Sequence, residues 1–171
     1  NAQFVVWAMS RNAGKSILGA VYLMTRSLLV PNFQAYVLCG VGSQSIEMFQ
    51  KIEKLTFNAV PSFKTLTDVF QGEVVKNQAN SNGFIHNPSS YQFKLFNNSG
   101  VNTLNGSYDN NRSKRSNCNF YDEAAFTSDE IFETSEPFIT QSSDFVDGVG
   151  YDMTDSLIEP PQFPNQCIYA S

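Results

Sequence analysis

Two short stretches bring together residue types suited to phosphate chemistry. The first is Met9-Ser10-Arg11-Asn12-Ala13-Gly14-Lys15-Ser16. It follows a continuous apolar run, Phe4 to Met9, and precedes a segment of helical periodicity. A loop between a strand and a helix N-terminus aims backbone N–H groups at one point, and the helix dipole adds positive potential there. Such a loop cradles a phosphate. Gly14 permits close backbone approach, Lys15 can reach β- and γ-phosphates, and the Ser16 hydroxyl can ligate Mg2+. Ser10, Arg11, Asn12 and Ala13 complete the loop. The common pattern G-x-x-x-x-G-K-[ST] has Gly at its first position, where this chain has Met9. Context carries the assignment, because Gly-Lys-Ser also occurs in ordinary surface turns.

The second stretch lies far downstream: Asn119-Phe120-Tyr121-Asp122-Glu123-Ala124. An apolar strand ending in Asp-Glu has the Walker B form. Asp122 is placed to hold Mg2+, and Glu123 to polarise an attacking water as general base. Two adjacent acids repel unless a cation lies between them and the phosphates. Asp-Glu alone is common at polar strand ends; its weight comes from the first motif. Arg11, inside the loop, either contacts the γ-phosphate and stabilises the transition state in cis, or pairs with a carboxylate and braces the loop. Arg112, Lys114 and Arg115 form a small basic cluster. It either touches DNA phosphates, reaches a neighbouring subunit's nucleotide, or is a solvated loop.

These motifs need elements to hold them. Phe4 to Met9 reads as a strand buried on both faces. Ile17, Leu18, Val21, Met24 and Leu28 predict a helix over residues 15–30, ended by Pro31. Ala35 to Val41 reads as a second buried strand. Ser43 is a candidate N-cap for a helix through Phe57, with Ile46, Phe49, Ile52 and Leu55 on one face. Helical crossovers between buried strands imply a parallel sheet. Residues 60–90 are hard to read, with a polar turn or loop from Asn77 to Pro88. Tyr91 to Phe96 alternates like a strand, and Asn97-Asn98-Ser99-Gly100 predicts a hairpin into Val101 to Leu104. Residues 105–117 read as exposed, Ser128 opens a helix toward Pro137, residues 141–165 are loop-like, and Gln166 to Ser171 is a last apolar stretch.

Composition narrows the classes. The 171 residues suit one domain, and 13% aromatics argue against disorder. A formal charge of −5 excludes a generic polyanion binder by net charge. Three scattered cysteines (Cys39, Cys118, Cys167) and the single His86 argue against zinc and for a reducing compartment. The cysteines fall on predicted buried strands, and His86 is expected to be exposed without a role. The aromatic residues are expected in the core. No apolar stretch is long enough for a membrane span. No targeting segment is visible, and the chain, which starts at Asn1 and stops in an apolar stretch, reads as a piece cut at both ends.

With both motifs placed, the chain resembles the ATPase domain of the large terminase subunit of tailed bacteriophages. Ser10-Arg11-Asn12-Ala13-Gly14-Lys15-Ser16 looks like that family's S-R-x-x-G-K-[ST], including the arginine and the missing first glycine. Phe120 to Ala125 looks like its Walker B with the adjacent catalytic glutamate. Cys167-Ile168-Tyr169-Ala170-Ser171 resembles the start of its coupling motif, and Phe96 to Gly106 its polar hairpin. The resemblance implies a RecA-like P-loop ATPase core spanning residues 1–171, with a mostly parallel sheet flanked by helices on both faces. It implies ATP and Mg2+ as ligands, Glu123 as catalytic residue, and Ala170 and Ser171 in the segment that couples hydrolysis to movement. It further implies a homo-oligomeric ring acting in the host cytoplasm on the portal of an empty capsid. There it would work with the small terminase subunit to drive double-stranded DNA inward. The family's upstream adenine-contacting glutamine has no counterpart, since Gln3 sits too near the loop, and its nuclease domain would follow Ser171. The alternatives are another nucleic-acid motor such as a helicase, or a nucleotide-binding module that does not hydrolyse.

Overall fold

The computed structural model describes residues 3–10, 12–40, 42–57, 64–76, 78, 80–88, 90–104, 115–139 and 165–171, with residues 42 and 64–66 described in backbone only. The elements in chain order are β1 (Phe4–Trp7), α1 (Lys15–Leu29), β2 (Gln34–Leu38), α2 (Gly42–Phe57), α3 (Lys64–Glu73), β3 (Ile85–Asn87), β4 (Ser90–Lys94), β5 (Gly100–Leu104), β6 (Cys118–Asp122), α4 (Asp129–Ser135) and β7 (Gln166–Ala170). They build one seven-stranded sheet in the order β1-β7-β6-β2-β5-β4-β3. The first five strands in that order are parallel, and β4 and β3 complete the sheet antiparallel. The mostly parallel sheet expected from the sequence is therefore present.

Alternate residues of each strand face opposite layers. Ala35, Val37, Phe120, Ile168 and Val101 face α1, α2 and α3, which bury Leu23, Met24, Met48, Phe49, Ile52 and Phe70 against them. Tyr36, Leu38, Tyr121, Cys167 and Tyr169 face the other way, onto Ile131, Phe132, Phe138 and Ile139. Helices thus cover both faces, as expected. Phe49 meets Phe84, Tyr91 and Phe93 at 5.7 to 5.9 Å, so these aromatic residues serve the core as expected, whereas Phe4, Phe57, Phe96 and Phe126 are exposed. On the second face, Asn119 is buried but satisfied. It donates to the Ser135 carbonyl (2.6 Å) and accepts from Ser116 (2.7 Å).

Several expectations are corrected. β1 is not buried on both faces: it lies at the edge of the sheet among the described strands, with Phe4 56% and Val6 73% exposed. An apolar run shows that a strand has apolar sides, whereas the strand order decides which sides are covered. α2 starts at Gly42, so Ser43 lies inside the helix. Residues 60–90 contain α3, and Ile85–Asn87 within the expected loop is a short strand paired to β4. Ser116 and Asn117 are buried rather than exposed, because Asn117 Oδ1 and its backbone N–H bracket Gln34 at the start of β2. Of the basic cluster, Arg115 is exposed, while Arg112 and Lys114 lie outside the described residues, as do residues 141–164. His86 is exposed, as expected, but it contacts Glu53 (3.1 Å) and stacks on Tyr91.

The polar hairpin at 97–100 closes the sheet beneath α1. Asn97 Nδ2 donates to the Ser27 carbonyl (2.7 Å), Ser99 Oγ to the Val30 carbonyl (2.8 Å), and Asn98 takes the left-handed conformation that asparagine tolerates. No helix among the described residues is long and apolar enough to cross a membrane.

Gly19 sets the closest approach of α1 to α2 and the sheet. A Cβ there would lie 2.6 Å from both Met48 Cε and Phe120 Cζ. Gly19→Val is expected to lower unfolding stability by about 1–3 kcal/mol through overpacking, measured by urea denaturation; an unchanged midpoint would show that the contact relaxes freely.

Candidate nucleotide site

The loop from Ser10 to Gly14 joins the C-terminal end of β1 to the first turn of α1. Two left-handed residues shape it, Asn12 (φ 62°) and Gly14 (φ 85°). A side chain at Gly14 would meet nothing within 4 Å, so backbone conformation rather than space favours glycine there. Gly14 caps α1 without a side-chain hydrogen bond, and the first turn of α1 has no acidic residue. The N-terminal N–H groups and the dipole therefore remain available to an anion. The Ala13 N–H donates to the Ser10 carbonyl (3.2 Å), which tightens the loop. Arg11 lies outside the described residues.

β6 carries the acids to the same place. Its neighbours in the sheet are β7 and β2, and Asp122 is paired with Ala170. Asp122 ends the strand and is buried. Glu123 follows in the left-handed region (φ 55°, ψ 47°), an uncommon conformation for glutamate that costs of the order of 1 kcal/mol or more. The turn lets the chain leave the strand into the short 3-10 helix Ala124–Phe126 and directs the carboxylate to Lys15.

Lys15 Nζ lies 2.8 Å from Glu123 Oε1 and 3.3 Å from Asp122 Oδ1. The lysine and aspartate side chains are 13% and 9% exposed, and the glutamate is 39% exposed. Burial pushes the Lys15 ammonium toward deprotonation. The hydrogen bond to Glu123 and the charge of Asp122 outweigh it, and the pKa rises above its ordinary 10.5. Cys39 lies just past β2, where burial raises its thiol pKa to about 12, with the Asp122 charge adding to the effect. Cys39, Cys118 and Cys167 are all free and buried, as expected.

The loop and Glu123 border one cleft of about 780 Å³, a size that suits a small-molecule ligand; Asp122 lies behind it, against Lys15. Ser10, Asn12, Ala13, Gly14, Lys15, Ser16, Glu123 and Ser171 line it, together with Gln44 and Lys51 of α2 and Phe126. Sequence reading singles out the first eight and misses the α2 and Phe126 contributions, whose only signal is helical spacing and an exposed aromatic. Ser171 is tied to the chain leading into the loop: its carbonyl accepts from Met9 N–H (2.9 Å) and its N–H donates to the Trp7 carbonyl (3.0 Å). Ala170 stands one residue back, paired with both Trp7 and Asp122.

The donor set fits a hard divalent cation. Asp122 Oδ1 is buried and within ion-pair range of Lys15, yet no donor is aligned to hydrogen-bond it among the described residues. No group of three His, Cys, Asp or Glu side chains that could cage a metal occurs among the described residues. Mg2+ needs no such cage, since it is usually held by one or two carboxylates with substrate phosphates and water.

No protein-family profile and no curated protein matches the chain. Solved structures do. The large terminase of a thermophilic bacteriophage matches with a TM-score of 0.59 at 11% identity, over 99% of this chain and 34% of that one. The ATPase domain of the Thermus phage P74-26 large terminase matches with a TM-score of 0.55 at 18% identity, over 80% of this chain and 54% of that one. The first of these terminases, in a structure of its complex with ADP, matches with a TM-score of 0.52 at 13% identity, over 98% of this chain and 33% of that one. The chain therefore spans about a third to a half of the length of these structures. At such identities the likeness is one of fold, and the fold is the RecA-like core of these ATPase domains.

The ion pairs give a stability prediction. Lys15→Ala leaves a buried carboxylate without its cation and is expected to cost about 1–3 kcal/mol; adding Asp122→Asn should restore most of it. Because the folded pKa of Lys15 is raised, its contribution is fully present below pH 10.5 and is lost as pH climbs through the higher folded value. Urea denaturation of both variants, repeated at neutral and alkaline pH, checks sign and window.

Proposed function

We propose that the chain is the ATP-hydrolysing motor domain of a phage DNA-packaging terminase large subunit. The observation that carries this reading is the meeting of Lys15 with Asp122 and Glu123 at one cleft, the loop lysine with the two strand-end acids. The likeness in fold to large terminase ATPase domains supports it.

The roles follow from position. The N–H groups at the start of α1 and the residues 10–16 loop receive the phosphates. Lys15 now bridges two acids, so an entering triphosphate competes with them for its ammonium, and Glu123 is released toward the cleft. Once free, Glu123 accepts a proton from a water aligned on the γ-phosphate. The Ser16 hydroxyl and the Asp122 carboxylate would hold Mg2+, which would neutralise charge on the phosphates. Arg11 is the candidate for stabilising charge on the γ-phosphate. Ala170 and Ser171 are the candidates for coupling, because Ser171 is hydrogen-bonded to Trp7 and Met9, which lead directly into the loop. In this reading the domain works as part of a homo-oligomeric ring at the portal in the host cytoplasm, with the small terminase subunit, and translocates double-stranded DNA.

The test is nucleotide binding and phosphate release with and without linear double-stranded DNA. Lys15→Ala should lose nucleotide binding. Glu123→Gln should keep ATP affinity while turnover falls about 10²–10⁴-fold. Normal turnover in Glu123→Gln removes that residue as the base, and undiminished affinity in Lys15→Ala removes the phosphate-loop assignment.

A further inference from the structure

The cleft has a second wall, supplied by α2, and that wall holds a cation with no structural partner among the described residues. Gln44 and Lys51 stand at i and i+7, which places them on one face of the helix. Both are half-buried and both border the cleft opened by Gly14, Lys15 and Ser16. The close contact at Gly19 and Met48 holds α2 near enough to α1 for this shared border.

Lys51 has Glu47 four residues before it, a spacing at which glutamate and lysine pair along a helix. Here the pair does not form. Glu47 is exposed, and no ion pair engages Lys51 among the described residues. Lys15, by contrast, is held by Asp122 and Glu123. Lys51 is thus a half-buried residue whose ammonium meets no carboxylate among the described residues. That arrangement is favourable where the counter-charge arrives with a ligand.

We propose that Lys51 is a phosphate-binding residue, contacting the anionic phosphates of the nucleotide from the α2 border of the cleft that the residues 10–16 loop also lines. The inference rests on the nucleotide-site reading above and adds a residue to it. Lys15, Arg11 and one divalent cation balance only part of the charge of a triphosphate and two acids; a lysine on the α2 border supplies a further positive charge. A contact to charge, rather than to base or ribose, should tolerate arginine and weaken with salt.

The experiment measures binding of a fluorescent ATP analogue with Mg2+ to the 171-residue chain and to Lys51→Ala, Lys51→Arg and Lys15→Ala, at low and high salt. Lys51→Ala should weaken affinity roughly tenfold at low salt, as for loss of one charge-assisted contact. Lys51→Arg should bind like the parent, and the deficit should shrink at high salt. Unchanged affinity in Lys51→Ala, with binding lost in Lys15→Ala, overturns the proposal and leaves the phosphate loop standing. Unchanged affinity in both variants removes both. An equal loss in Lys51→Arg and Lys51→Ala overturns the charge contact. Thermal melts accompany each variant; if Lys51→Ala is destabilised, Lys51→Gln, which keeps most of the aliphatic stem, replaces it with the same expected loss.

Discussion

The structure turns on the ammonium of Lys15 held between the carboxylates of Asp122 and Glu123. This contact joins the first helical residue after β1 to the end of β6, two segments far apart in the chain. Neither charge could be this buried alone, because an unpaired ion in a poorly solvated position is costly. The rest of the fold can be read as what brings the three side chains to one point. Parallel strands end on the same side of the sheet, so β1, β7 and β6 deliver the loop, Ser171 and the acids together.

Local backbone conformation finishes what the sheet begins. Asn12 and Gly14 turn the loop through the left-handed region, and Glu123 does the same at the far side. Such positions are unfavourable for glutamate, and they persist where surrounding packing over-determines them. Around Glu123 that packing includes the Phe126 N–H on the Glu123 carbonyl (2.9 Å). Gly40 is also close by: a Cβ there would stand 2.6 Å from the Phe126 carbonyl oxygen. The aromatic layer on the second face, with Tyr121 and Tyr169 stacked at 5.0 Å, anchors the two strands whose ends carry Asp122 and Ser171. The site is thus supported from the layer opposite α1 and α2, through Tyr121, which alternates with Asp122 along β6, and Tyr169, which alternates with Ala170 along β7.

Much of this was legible in residue order, for physical reasons that differ between segments. The helix of α1 is apparent from Ile17, Leu18, Val21, Met24 and Leu28, since helical spacing is a local property. The 97–100 hairpin is apparent because asparagine, here Asn98, accepts the left-handed conformation of its turn. α3 is not apparent: Lys64–Glu73 carries few apolar residues, and its helix depends on packing Phe70 against Phe93 (5.1 Å). β1 misleads, because an apolar run looks the same whether neighbours cover both faces or an edge remains open. Ser116 and Asn117 mislead in the other direction, since polar residues become buried where the backbone of another strand gives them partners.

By itself, the order of residues determined the chemical alphabet of the site: a loop able to bind an anion, a lysine, a hydroxyl and two acids at a strand end. These are short-range patterns, and short-range patterns survive in one dimension. Tertiary structure alone decided that the lysine touches both acids, that Ser171 closes the loop from β7, and that α2 brings Gln44 and Lys51 to the same cleft. Those outcomes depend on the strand order and on the approach of two helices at Gly19, which are set by the summed packing of the whole core rather than by any single segment.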